Sequence, residues 1–377
     1  MGLFRILFAL SVLNYHSAAF FGIFFFNSAL AVESFFIISG FYMSLIICEK
    51  YKGKNSYISF LSSRFLRLYP SYFVVLLVIF IASLFISQVH TYDPISYIST
   101  LLSSHMNIQY LYHLFIIIVN NLTLNYFTLT ISQGFDLLIP PAWTISMEIL
   151  FYILAPFIVK RNIKFIIILA IVSLFIRLMI RTYAITFLVL RSHYFPSDLI
   201  FFLLGVIAYK IYVQIQVVNK YVFYSIYLFL LFLTLFYTVV IQIYISQSID
   251  TWVYIFILTL SIPFIFRYTK DWYLDRLIGE YSYLIYILHS FIIFCSLNFV
   301  ARDKPYFTLL VLFITVIFAI IIHYTLEIPI DNYRHKLFLP SKSSEKKYIQ
   351  SSSSVKKLKA TSRFAKNKTF EKVANSN

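Results

Sequence analysis

The sequence predicts an all-α protein, a polytopic transmembrane bundle of about ten spans with both termini cytoplasmic. Three observations carry that expectation. Of 377 residues, 60% are hydrophobic and only 12% charged, with a mean hydropathy of +0.83, whereas a soluble domain carries about 25% charged residues. The apolar residues gather in runs long enough to cross ~30 Å of hydrocarbon at 1.5 Å per residue. Lys and Arg are unevenly placed, with none between Arg67 and Lys160, as expected of a long extracytoplasmic connection. Nothing folded in water could cover 42 Phe and 31 Tyr with so few charges.

The first run, 3–23, carries Arg5 and no persuasive cleavage site, so it reads as a retained helix rather than a signal peptide. After 29–48 comes a basic connection, 49–70, with Lys50, Lys52, Lys54, Arg64 and Arg67, which marks the cytoplasmic side before the run 71–90. Segment 91–142 is then extracytoplasmic. Its apolar part, 110–129, would put a basic loop on the wrong side if counted as a span, so it is expected to be re-entrant or interfacial. Runs 143–159 and 165–182 flank the basic turn Lys160, Arg161 and Lys164. The runs 197–212, 221–244, 252–267, 281–300 and 306–326 complete the set, with basic connections at 210–220 and 267–276.

From Lys336 onward there are eleven Lys or Arg against Glu345 and Glu371, so +9 of the formal +16 lies in the last 42 residues. A membrane domain, 1–335, is therefore expected to precede a basic, disordered cytoplasmic tail, 336–377. The net charge reports topology, not nucleic-acid binding. Cys48 and Cys295 sit in apolar runs without ligand spacing and read as packing residues; no metal site is expected.

An ionisable side chain deep in a span is a functional candidate by default. Arg5 and His16 are eleven residues apart, which returns a helix to nearly the same face about 16 Å along its axis. Glu33 lies at a depth comparable to His16 on the next span. A carboxylate beside an imidazole prepares a general base, so the two form a candidate catalytic dyad; a polar bridge between adjacent helices is the alternative. Arg64 and Arg67 share a helical face, and their forked donors suit phosphate oxygens, although the same pair can simply anchor the inner surface. In the span from Trp143, Glu148 and Tyr152 are four apart on one face. His289 reads as structural or substrate-facing, because no acid accompanies it in its own span at that depth.

In order, these segments resemble the acyltransferase-3 family of polytopic membrane O-acyltransferases, which includes O-antigen and exopolysaccharide acetylases. The matching pieces are Arg5 with His16, Val32 to Phe41, Phe60 to Pro70 with its paired arginines, Trp143 to Pro156, Phe201 to Gly205, Tyr281 to His289, and Glu327-Ile328-Pro329. The resemblance covers residues 3–335. Glu33 stands where the family usually has Asp, Ala31 where it often has glycine, and His289-Ser290-Phe291 lacks a commonly following proline.

What the resemblance implies is an enzyme of the cell inner (plasma) membrane. It would move an acyl group, acetyl in the commonest case, from cytoplasmic acyl-CoA to a hydroxyl of a surface or lipid-linked glycan. Arg5, Arg64 and Arg67 would receive the donor's phosphates, and His16 would deprotonate the acceptor hydroxyl or relay the acyl group. Ser39, Trp143 and Ser146 are candidates to stabilise a developing oxyanion, with Glu148, Tyr152 and His289 further substrate-side candidates. Acyl-CoA would be a co-substrate, with no permanently bound cofactor; membrane lipid and the glycan are the other partners. A transporter or flippase is the competing class, but no internal repeat of the kind transporters often show is evident.

Overall fold

The computed structural model describes residues 1–20, 23–51, 53, 55–85, 115, 118–124, 138–183, 194–215, 219–240 and 249–338. The protein is an all-α membrane protein, and among the described residues there is no strand beyond an isolated bridge between Phe20 and Ile23. Residues 1–329 form one compact unit, and residues 330–377 are grouped separately.

In the first unit the helices are α1 (Gly2–Ser17), α2 (Ser28–Glu49), α3 (Ser56–Phe85), α4 (Trp143–Ile158), α5 (Ile163–Tyr183), α6 (Phe195–Gln214), α7 (Lys220–Leu235) and a short α8 (Tyr237–Val240). They are followed by α9 (Ile249–Thr269), α10 (Tyr273–Leu297) and α11 (Phe307–Ile322). Among the described residues, eight helices are long and apolar enough to cross a membrane. Two further expected spans, α1 and α7, are 16 residues each, or about 24 Å at 1.5 Å per residue. A π turn, His323–Glu327, follows α11 and leads into α12 (Ile328–Phe338). In the second unit, helix continues to Phe338, past the expected start of the tail; the rest of 336–377 lies outside the described residues.

Lipid offers helices no hydrophobic reward for associating, so close backbone approach carries much of the packing. The helix α2 packs most extensively on α6, and α1 on α10. At the first crossing Gly40 meets the Phe202 carbonyl and Gly205 the Ile37 carbonyl, with no room for a Cβ at either position. At the second, Gly2 lies against Gly279, and Asp275 accepts hydrogen bonds from the amides of Gly2 (2.8 Å) and Leu3 (3.0 Å). A residue of α10 thus satisfies amides that the first turn of α1 cannot satisfy itself.

Residues 118–123 are helical. Their end is tied down by α3 and α4: Tyr72 donates to the Asn121 carbonyl (2.7 Å), Tyr69 to that of Leu122 (2.8 Å) and Ser146 to that of Leu124 (2.7 Å). Irregular backbone among membrane helices requires such partners. The remainder of 110–129 lies outside the described residues.

Candidate functional site

Two polar groupings lie at opposite ends of α1. At its start, four helices bring together Arg5 (α1), Ser39 and Tyr42 (α2), Arg64 and Arg67 (α3), and Glu148 and Tyr152 (α4). The i, i+4 spacing on α4 lets the Tyr152 hydroxyl donate to Glu148 at 2.5 Å. Arg5 and Arg67 face that carboxylate and are close enough to each other to repel. Among the described residues no carboxylate comes within ion-pair distance of either guanidinium, and neither donates a hydrogen bond. Both side chains are half-buried, so their forked donors remain open to an incoming anion. Arg64 is buried beside Tyr152. The Ser39 hydroxyl is buried beside Glu148 and Tyr152.

Arg67 also lies within electrostatic reach of Glu327 of the π turn. Glu327 accepts from Ser71 (3.3 Å) and pairs with His323 (2.9 Å), whose other ring nitrogen lies 3.8 Å from Glu280. Of these, only Glu327 stood in a sequence motif, and it carried no assigned role.

At the far end of α1, His16 is exposed and lies against the buried imidazole of His289, with ring centroids 5.5 Å apart. The carbonyls of His16 and Ser17 accept from Arg302 at 2.5 and 2.7 Å, which caps a helix C-terminus with a cation. Sequence reasoning missed Arg302. Its signal was a basic residue in a connection expected to be poor in positive charge.

The expected pairing of Glu33 with His16 is corrected by the structure. Glu33 forms an ion pair with Arg177 of α5, and the same guanidinium pairs with Asp198 of α6 at 2.6 Å and lies 4.7 Å from the centre of the Phe201 ring. Glu33 therefore ties α2 to α5 and α6. Arg177 and Asp198 were also missed, although each is an ionisable residue in a span and the rule that singled out Glu33 applies to them equally. The Ser146 hydroxyl donates to the Leu124 carbonyl at 2.7 Å. Trp143 sets its ring edge-on to Phe36 at 6.2 Å.

The acyltransferase-3 family model, described as an acyltransferase domain, matches residues 1–324. Searches of curated proteins and of solved structures gave no match. The matched stretch takes in both polar groupings and nearly all of the first compact unit, and on it this multi-pass membrane protein belongs to the acyltransferase-3 family.

Proposed function

We propose that the protein transfers an acyl group, acetyl in the simplest case, from cytoplasmic acyl-coenzyme A to a hydroxyl of a surface or lipid-linked glycan. The observation that carries the reading is the pair Arg5 and Arg67. Two cations held together against their own repulsion, with donors that no described residue takes up, are prepared for an anion carrying several oxygens. Phosphates of coenzyme A meet that description, and the positive-inside distribution assigns this end of the bundle to the cytoplasm.

His16 is the base on this reading. About 16 Å of helix separates it from Arg5, a distance the donor's pantetheine arm can bridge. As the acceptor oxygen bonds to the acyl carbon, its proton passes to His16. The C–S bond breaks with its electron pair on sulfur, and His16 returns the proton to the thiolate. Ser39, Trp143 and Ser146 are this reading's candidates to stabilise the oxyanion. The test is transfer of radiolabelled acetyl from acetyl-coenzyme A into the membrane glycan fraction of the host. His16→Ala is expected to abolish transfer while the protein still inserts; undiminished transfer would remove His16 from the chemistry.

A further inference from the structure

We infer that His289, rather than Glu33, is the positioning residue of His16; the inference rests on His16 being the base in the reaction proposed above. His289 is 1% exposed, on the half of α10 that lies beside the end of α1. Its Nδ1 lies 2.7 Å from the Tyr286 carbonyl oxygen. A carbonyl only accepts, so Nδ1 bears the proton and Nε2 bears the lone pair. The backbone of its own helix thus fixes the tautomer of His289.

The rings of His16 and His289 are 5.5 Å apart and tilted by only 32°. That is close to the separation of two imidazoles joined edge to edge by one N–H···N bond of about 2.9 Å. Catalytic hydrogen bonds often tighten only when substrate is bound. The movement needed here is confined to the exposed His16 side chain, because Arg302 holds the backbone of α1 at its last two carbonyls. Once that bond forms, the N–H of His16 points at Nε2 of His289, and the lone pair on its other nitrogen turns toward the acceptor. A buried carboxylate orients the imidazole of a serine hydrolase by the same logic; here a neutral imidazole with a fixed tautomer takes its place. The proton on Nδ1 of His289 never leaves, and only His16 exchanges one with the hydroxyl and the sulfur.

Two substitutions separate the nitrogens. His289→Gln places an acceptor oxygen near the Nε2 position, whereas His289→Asn can replace only the Nδ1 donor. In the acetyl-transfer assay on host membranes, His289→Gln is expected to keep kcat within about tenfold. His289→Asn should lower it by roughly 10²–10⁴-fold, with KM for acetyl-coenzyme A unchanged because the phosphates bind at the other end of α1. A fully active His289→Asn variant overturns the inference. If His289→Asn fails to insert, His289→Gln decides alone: a folded variant with kcat down more than a hundredfold overturns it. Full activity in His16→Ala would fell the base assignment together with this inference. Loss of transfer in His16→Ala beside an active His289→Asn would fell this inference alone.

Discussion

Arg177 holds two carboxylates from two other helices, so its removal and theirs should not be equivalent. The Arg177→Met variant leaves Glu33 and Asp198 facing each other with no cation between them. Breaking a buried ion pair from one side costs about 3–5 kcal/mol; Arg177 is 26% exposed, so the loss here should fall toward the lower end. Glu33→Gln removes less: the Arg177–Asp198 pair at 2.6 Å survives, and the loss is that of one charged hydrogen bond, about 1.5–3 kcal/mol. The triple variant Arg177→Met, Glu33→Gln, Asp198→Asn removes every charge together and should regain most of the loss. Thermal unfolding in detergent is then expected to rank wild type and the triple variant above Glu33→Gln, with Arg177→Met lowest. Acetyl transfer by Glu33→Gln, corrected for folded protein, should stay within about tenfold, whereas loss of a residue needed for general base catalysis costs roughly 10²–10⁴-fold. A folded Glu33→Gln variant that loses more than a hundredfold in kcat would return Glu33 to the chemistry. An Arg177→Met variant as stable as wild type would show that the bridge carries no load.

Two further outcomes test the other parts of the structure. Arg67→Lys keeps the charge but loses the fork; with about 1.5–3 kcal/mol for one charged hydrogen bond and 1.4 kcal/mol per tenfold, KM for acetyl-coenzyme A should rise roughly 10–100-fold while kcat changes little. Gly205→Val drives a Cβ into the Ile37 carbonyl, a backbone atom no rotamer change can move. The crossing of α2 on α6 should open at a cost of about 1–3 kcal/mol or more, read as a smaller monodisperse fraction on size exclusion in detergent.

The spans were legible because lipid imposes length and apolarity on each one independently, and a residue's depth follows directly from its place in a run. Depth is one coordinate of a helical side chain, and rotation about the axis is the other. Within one helix rotation can be counted, which is why Glu148 with Tyr152 and Arg64 with Arg67 were found from spacing alone. Between helices it depends on which neighbour the close-approach glycines select. Gly40 and Gly205 seat α2 on α6, and that contact joins Glu33 to Asp198 through Arg177, more than 140 residues further along the chain. Nothing near Glu33 in sequence encodes it.

The cost of an intramembrane charge marks a residue as needing a partner, and a counterion and a catalyst meet that demand alike. What separates them is whether the protein consumes the group's hydrogen-bonding capacity. Glu33 is spent on Arg177. The guanidinium groups of Arg5 and Arg67 keep theirs, and His289 commits Nδ1 to its own backbone while Nε2 keeps its lone pair. Capacity kept at a structural cost points to the groups that meet substrate, and it is a property of packing that no spacing in the sequence can reveal.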